Sequence, residues 1–254
     1  MLSKNRIKQI NALQQKKFRN ESRTFVAEGH KVVAELLRSQ LKIKEIFATE
    51  DWVADNAHRY RGTQISMVSA YEIKKISAMQ TACSVVAEVE MPDCGQDISL
   101  EAGNLYLAMD SVRDPGNMGT IIRIANWFGI DTILASSDCV DLYNPKVIQA
   151  SMGSAFRVRV ISCNLAQKLD EARRMGMPVY GTFLNGDVIY SARLSPNGII
   201  VLGNEGHGIL PETEKMITNR LYIPTGASPD MAPESLNVSA ATAIVCSEFF
   251  RRKI

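Results

Sequence analysis

Residues 110–123 combine carboxylate, amide and guanidinium side chains directly after an apolar run. That run, residues 105–109, is typical of a buried strand, and the Asp-Pro-Gly-Asn sequence at 114–117 favours a tight turn. Isoleucine, alanine and aromatic residues then recur at helical spacing. The pattern predicts a strand, a sharp loop and a helix, with polar groups at the carboxyl end of the strand. In an open α/β sheet, that end is where ligands bind.

Three residues of this segment are candidates for chemistry. Asn117 is placed to cap the helix, Gly119 leaves room for a ligand or another backbone, and Arg123 lies one turn beyond Gly119 on the same helix face. A guanidinium in such a position can clamp a phosphate or stabilise a developing negative charge. An ordinary capped turn with a solvated arginine is the alternative explanation of the same residues.

Two further predicted strands end in glycine-rich or polar loops, at residues 203–208 and 225–237. The carboxyl ends of parallel strands share one edge, so the three loops can converge on one site. The 203–208 loop lacks both the G-x-G-x-x-G spacing and the Gly-Lys-Ser/Thr of a P-loop, which argues against the two common phosphate-binding fingerprints. Glu205 there would oppose a phosphate and tolerate a neutral or cationic nucleoside, unless it only pins backbone amides. Ser235 and Asn237 precede the last predicted helix, where either can serve as its N-cap.

The composition limits the class of protein. The chain has 254 residues, of which 46% are hydrophobic and 22% charged, enough for a normal core in one or two domains. No apolar run approaches the length of a membrane span, and the N-terminus is too charged for a signal peptide. Five scattered cysteines without a CxxC pair and only three histidines argue against a disulfide framework and a zinc site. We expect a soluble, cytoplasmic protein that binds no metal.

Basic residues crowd the first two dozen positions, although the net charge is only +2. Against the single acid Glu21 stand seven cations: Lys4, Arg6, Lys8, Lys16, Lys17, Arg19 and Arg23. A cluster of this kind attracts a phosphate backbone, and Phe18 among the cations could stack on a base. A solvated helix face, with Phe18 in the core, is the alternative.

Short helices and strands alternate along the whole chain, which is typical of α/β domains. The first helix is predicted over residues 5–15. Residues 91–103 are rich in turn formers and lack periodicity, so we interpret them as a linker. We predict an α/β domain over residues 1–98 and a second over 99–254, the latter with a mainly parallel sheet.

Three motifs in chain order resemble those of a known family. They are Asn117-x-Gly119-x-x-x-Arg123, Leu202-Gly203-Asn204-Glu205-Gly206-x-Gly208-Ile209, and Ile223-Pro224 followed by Ser235-Leu236-Asn237-Val238-Ser239-x-Ala241. They are similar to the three motifs of the SpoU/TrmH family, RNA ribose 2′-O-methyltransferases of the SPOUT superfamily. The stretch Lys16-Lys17-x-Arg19-x-Glu21-x-x-x-Phe25-Val26-x-Glu28-Gly29 resembles that family's L30e-like substrate-binding module, so the resemblance covers nearly the whole chain.

Two stretches depart from the family pattern. Residues 225–234 make the spacer of the third motif several residues longer than usual, which bears on how this loop closes over the cofactor or meets a partner subunit. Residues 80–84 lack the proline- and glycine-containing turn often found at the end of the first domain.

The resemblance implies a C-terminal trefoil knot, a homodimer with the active site at its interface, and S-adenosylmethionine as cofactor. The positions it assigns to the cofactor are Thr182, Leu202, Gly203, Gly208, Ile223, Leu236 and Val238. The polar positions it assigns to catalysis are Asn117, Arg123, Glu205, Ser235 and Asn237. In the first domain, the RNA contacts it implies are Lys16, Lys17, Arg19 and Arg23.

The implied reaction is attack of a ribose 2′-hydroxyl on the sulfonium methyl group. Because the pKa of an arginine lies above about 12, we assign Arg123 to clamping a phosphate and stabilising the alkoxide rather than to removing the proton. The two-domain layout favours ribosomal RNA of the 23S type as substrate. The alternatives are a tRNA 2′-O-methyltransferase, a catalytically silent RNA-binding ribosome-assembly factor, and an unrelated nucleotide-binding α/β enzyme. The intact polar positions argue against the silent factor, and the absence of a phosphate fingerprint disfavours the unrelated enzyme.

Overall fold

The computed structural model describes residues 1–81, 83–93, 98–228 and 234–252. Its strands in chain order are β1 Thr24–Glu28, β2 Ile43–Ala48, β3 Ile65–Met67, β4 Val85–Glu90, β5 Leu105–Met109, β6 Thr132–Ala135, β7 Arg159–Ser162, β8 Val179–Phe183, β9 Asp187–Val188, β10 Gly198–Leu202 and β11 Asn219–Tyr222. Its helices are α1 Lys4–Ala12, α2 Lys16–Ser22, α3 His30–Leu36, α4 Glu50–Asn56, α5 Ala70–Ile76, α6 Pro115–Trp127, α7 Pro145–Ser151, α8 Leu165–Arg174, α9 Pro211–Glu214 and α10 Val238–Arg251. The described residues form two compact units, one from 1–93 with 141–157 and one from 98–140 with 158–252.

The first unit is built on a four-stranded sheet in the order β1-β4-β2-β3. Strand β4 runs antiparallel to β1 and β2, whereas β3 is parallel to β2. Its core includes Ile10 from α1, Phe47 from β2 and Ile76 from α5. Helices α1 and α5 therefore pack on this sheet through their apolar sides, which leaves their polar sides outward.

The N-terminal region contains two helices where we predicted one over residues 5–15. Helix α1 ends at Ala12, and α2 begins at Lys16. Arg23 ends α2 in the left-handed conformation, with a φ of +53°. The basic run that begins at Lys16 is thus helical, and its side chains point in several directions around the α2 axis.

Residues 141–157 pack within the first unit, although the predicted boundary at residue 98 assigns them to the second domain. The ring of Phe25 in β1 lies 4.7 Å from the ring of Tyr143 and 6.2 Å from that of Phe156. Such aromatic contacts add to the burial of apolar area. The division into domains 1–98 and 99–254 stays a prediction, and residues 94–97 of the predicted linker lie outside the described residues.

The second unit is built on a seven-stranded sheet in the order β7-β6-β5-β10-β8-β11-β9, and every neighbouring pair is parallel. The predicted α/β class with a mainly parallel sheet is confirmed. Because the strands are parallel, the loops that follow β5, β10 and β11 leave the same edge of the sheet. Helices α6 and α10 pack against each other, and the rings of Phe128 and Phe250 are 5.7 Å apart. Within the described residues, no helix has the length and apolar content needed to cross a membrane.

Candidate active site

The loop between β5 and α6 differs from the prediction in its cap. Asp114, not Asn117, is the N-cap of α6, because its Oδ1 accepts a hydrogen bond of 2.8 Å from the backbone N–H of Asn117. Pro115 occupies the first turn, where its missing N–H costs nothing. The amide side chain of Asn117 is therefore not used in capping and is free to contact other loops.

Asn117 joins the three polar loops. Its Nδ2 donates a hydrogen bond to Glu205 in the β10 loop, and its Oδ1 accepts one of 2.9 Å from Nδ2 of Asn237. Asn237 is also the N-cap of α10, since its Oδ1 accepts from the backbone N–H groups of Ser239 and Ala240. Asn237 therefore both caps α10 and links this loop to Asn117. The predicted convergence of the three loops is observed.

Asn204, which the motif analysis did not single out, organises the β10 loop. Its Oδ1 accepts from the backbone N–H groups of Gly206 at 2.8 Å and His207 at 3.4 Å. Its Nδ2 donates to the carbonyl oxygen of Ser111 at 2.8 Å, which links this loop to the β5 loop. The backbone N–H groups of this loop thus donate to Asn204, and no backbone N–H of the described residues donates to Glu205, contrary to the alternative considered for that carboxylate. An asparagine flanked by glycines was the available sequence signal.

The β10 loop folds back on itself at Gly203. The backbones of Asn204 and Gly208 exchange two hydrogen bonds of 2.9 Å. A Cβ at Gly203 would lie 2.3 Å from the carbonyl carbon of Gly208 and 2.4 Å from the nitrogen of Ile209. Only glycine allows this close approach, so the backbone path of the loop requires glycine at position 203.

The β5 loop is held by the buried residues Asp110 and Ser111 together with the exposed Asp138. Asp110 is 1% exposed, and its Oδ2 accepts a 2.8 Å hydrogen bond from the backbone N–H of Leu210. Ser111 has a φ of +59°, and its Oγ donates to Asp138 at 2.5 Å. Hydrogen bonds from Ser111 and Ser136 hold the pKa of Asp138 below its ordinary value. An ionised Asp138 keeps Ser111 in its strained conformation, which sets the path of the loop toward Asn117.

A cleft of about 500 Å³ opens beside this network. Six of the positions assigned to the cofactor line it: Thr182, Gly203, Gly208, Ile223, Leu236 and Val238. Glu205 and Ser235 line it as well. Leu202 does not line it, because this residue lies in the sheet with no exposed surface, and its assignment as a cofactor contact stays a prediction. The volume is within the range of small-molecule sites.

The cleft walls suit a ligand that is partly apolar and not anionic. Apolar walls come from β11 and α10, including Leu221 and Val245, whereas Glu205 and Glu234 contribute carboxylates. The cation of Arg220 is already engaged, since it lies 3.5 Å from the centroid of the Phe183 ring and pairs with Glu214. Carboxylates repel a polyphosphate and attract a cation in such a site. A sulfonium nucleoside such as S-adenosylmethionine fits this combination, and the glycine backbone at 203–208 allows it to approach closely.

Arg123 lies on an exposed part of α6 and is outside the cleft lining. Within the described ranges, its guanidinium makes no hydrogen bond or ion pair. Ser235 is likewise exposed, and Asn237 rather than Ser235 caps α10. Both side chains are therefore available to an incoming substrate.

In the first unit, the cations assigned to RNA divide into two groups. Lys16, Lys17 and Arg23 are exposed, and Arg23 pairs with Asp93 at 2.6 Å. Arg19 is 2% exposed, and its Nη2 lies 2.5 Å from Oδ2 of Asp141. Its Nη1 donates to backbone carbonyl oxygens in the turn between α1 and α2. The assignment of Arg19 to RNA stays a prediction, and in this structure its guanidinium is buried and bound within the unit.

Comparison with known proteins covers both units. Residues 104–247 match the model of the SpoU rRNA Methylase family, and residues 4–87 match the MRM3-like substrate binding domain. The chain is 32% identical over 241 residues to the 23S rRNA (guanosine(2553)-2′-O)-methyltransferase RlmP of Bacillus subtilis (strain 168), with 94% of each chain covered. An AdoMet-bound rRNA methyltransferase from Sinorhizobium meliloti superposes with a TM-score of 0.85 at 30% identity, over 100% of this chain and 98% of that one. A TrmH-family protein from Porphyromonas gingivalis superposes with a TM-score of 0.85 at 37% identity, over 99% of both chains.

Proposed function

Because the chain belongs to the SpoU rRNA methylase family, we propose that it transfers a methyl group from S-adenosylmethionine to a ribose 2′-hydroxyl of 23S-type ribosomal RNA. The observation that carries the proposal is the cleft beside the Asn117–Glu205–Asn237 hydrogen-bond network. The printed name of the RlmP relative gives the same reaction on 23S rRNA, and that relative is matched over nearly its full length.

We assign the cofactor to the cleft. When bound, S-adenosylmethionine supplies an electrophilic methyl group that already carries its leaving group. The backbone of the 203–208 loop and the side chains of Thr182, Ile223, Leu236 and Val238 hold and orient it. The carboxylate of Glu205 adds attraction for a positive charge. Alignment of the reacting atoms, rather than activation of a leaving group, is then the main task of this chain.

Arg123 is the residue that we assign to the substrate. Its guanidinium clamps the phosphate next to the target ribose and stabilises the charge that develops on the 2′-oxygen. An arginine stays protonated, so it does not take the hydroxyl proton itself. The Asn117–Glu205–Asn237 network holds the loops in register, and Ser235 at the cleft mouth contributes a hydroxyl that can donate to or accept from the ribose.

We propose that the enzyme works as a homodimer in the cytoplasm. Trp127 is 84% exposed and lies one turn beyond Arg123 on α6, and Phe250 of the adjacent α10 is 43% exposed. A second copy would cover this apolar surface and place Arg123 at an interface. Light scattering tests this, because Trp127→Glu should give monomers, whereas an unchanged dimer would place the interface elsewhere. The trefoil knot stays a prediction, since residues 229–233 in the segment concerned lie outside the described residues.

The test of the function is methyl transfer from labelled S-adenosylmethionine to total ribosomal RNA and total tRNA that lack native modifications. We expect label in ribosomal RNA that makes a single linkage resistant to alkali. Label in tRNA alone would replace the substrate by tRNA. Absence of label from both pools, with S-adenosylmethionine binding intact by thermal shift, would favour the silent assembly factor.

A further inference from the structure

Helices α1 and α5 lie side by side in the first unit. Nδ2 of Asn11 on α1 donates a 2.9 Å hydrogen bond to the carbonyl oxygen of Lys75 on α5. At the other end, the backbone N–H of Leu2 donates to Oε1 of Glu72 at 2.5 Å. These bonds fix the two helices together, so their exposed side chains form one continuous surface. We call the surface formed by Lys4, Lys8, Tyr71, Lys74 and Lys75 the α1–α5 face.

The centre of the α1–α5 face is an exposed aromatic ring. Tyr71 is 69% exposed, which is unusual for a side chain of this size in a folded domain. The ammonium of Lys75 lies 4.2 Å from the centroid of the Tyr71 ring, and this cation–π contact holds the ring in place. The ring is thus in contact with a cation and still has most of its surface exposed to solvent. Phe18, the ring considered from the sequence, is half-buried and is less available for stacking.

The charge of the α1–α5 face is strongly positive. Its four lysines form no ion pair with the described residues, whereas Lys17 on α2 pairs with Glu21 at 4.0 Å. Arg6, the remaining cation of α1, is already bound to Glu45 and Glu88.

Glu72 is the one carboxylate in the sequences of α1 and α5. It is held by the capping box of α5, where Ser69 and Leu2 donate to it and lower its pKa to about 2. The carboxylate therefore stays ionised at the helix terminus but forms no ion pair with the four lysines in the described part of the chain, so four positive charges stand against one negative charge.

We propose that the α1–α5 face binds an unpaired strand of the RNA substrate, with a base stacked on Tyr71 and neighbouring phosphates on the four lysines. The inference rests on the proposed function for RNA as the substrate. Unpaired bases stack on tyrosine, and lysines track the backbone, so the combination of an open ring and unpaired cations selects single-stranded RNA. A duplex offers phosphates but no free base face, and an acidic peptide offers no base at all.

The test uses the full-length protein and a labelled, unstructured 12-nucleotide pyrimidine RNA, with affinity measured by fluorescence anisotropy over a range of salt concentrations. Tyr71→Ala should weaken binding about tenfold without changing the salt dependence, whereas Tyr71→Phe should retain affinity. The double variant Lys74→Gln/Lys75→Gln should reduce the slope of log K against log salt by about 0.7 for each lost phosphate contact. Lys31→Gln on α3 removes one positive charge away from this face, and its effect per removed charge serves as the control.

Three outcomes would overturn the inference. One is unchanged affinity of Tyr71→Ala for the 12-nucleotide RNA. A second is an equal loss of affinity per removed charge in Lys31→Gln and in Lys74→Gln/Lys75→Gln, which would indicate a general charge effect. A third is equal or tighter binding of a 12-base-pair RNA duplex with the same sensitivity to Tyr71→Ala. The methyl transfer assay with the unaltered protein distinguishes these results from failure of the proposed function. If the proposed function were wrong, the unaltered protein would transfer no methyl group to any RNA.

Discussion

Replacement of Arg123 by alanine separates its chemical role from a structural one. The side chain is exposed and makes no hydrogen bond or ion pair with the described residues, and alanine is the better helix former. The free energy of unfolding should therefore change by less than about 0.5 kcal/mol. Arg123 is absent from the cleft lining, so the dissociation constant for S-adenosylmethionine should be unchanged.

Turnover should fall in the same variant by about 100- to 1,000-fold, which corresponds to roughly 2.7–4 kcal/mol of lost transition-state stabilisation from one charge-stabilising donor. Arg123→Lys keeps the charge but loses the planar pair of donors, so we expect a smaller but clear loss. Single-turnover methylation of ribosomal RNA at saturating S-adenosylmethionine measures the chemical step directly.

The matched control is Arg174→Ala, which removes another exposed arginine from the second unit at its ion pair with Asp170. This variant should keep normal turnover. Loss of S-adenosylmethionine binding or of thermal stability in Arg123→Ala would show that Arg123 is structural. Turnover equal to that of the unaltered enzyme would refute the assignment of Arg123 to the substrate.

Three further experiments test a backbone contact in the cleft, a buried ion pair and the burial of a cysteine. Gly203→Ala should abolish S-adenosylmethionine binding in calorimetry and destabilise the protein by roughly 1–3 kcal/mol, because its Cβ would lie 2.3 Å from backbone. Gly103→Ala, whose Cβ would meet no atom within 4 Å and which lies outside the cleft lining, should bind normally. Arg19→Leu should cost about 3 kcal/mol in urea unfolding, because it leaves the carboxylate of Asp141 without its partner; a cost below about 0.5 kcal/mol would contradict the structural role. Burial raises the pKa of Cys246 to about 12, so this thiol should resist alkylation at pH 8 until the protein is unfolded, and rapid native labelling there would contradict its buried placement.

Several strands could be predicted from short patterns of apolar and turn-forming residues. The strands predicted at 105–109 and before the loop at 203–208 are observed as β5 and β10. Each is a run of apolar residues between turn formers, so its conformation depends on neighbours in the sequence. The strand predicted before the loop at 225–237 is observed as β11, which already ends at Tyr222, and β9 and α9 were not predicted. These elements are short or polar, and long-range pairing decides where they begin and end.

The sequence predicted which loops form the candidate site, but not the hydrogen bonds that join them. The parallel arrangement alone places the loops after β5, β10 and β11 at one edge. Whether Asn117 capped its helix or contacted another loop depended on where α6 begins, and the sequence pattern predicted Asn117 as the cap where the structure has Asp114. The role of Asn204 depended on the carbonyl of Ser111, which lies 93 positions away in the chain.

The amino-acid sequence by itself determined the α/β class, the order of the three motifs and the chemistry available to them, because these follow from residue types and short spacings. Only the tertiary structure decided which cations are free. Arg19 and Lys17 lie two positions apart on one short helix, yet the first is buried against Asp141 and the second is exposed. Helical geometry turns residues two apart to different sides, and the packing of residues 141–157 into the first unit determines which side is covered.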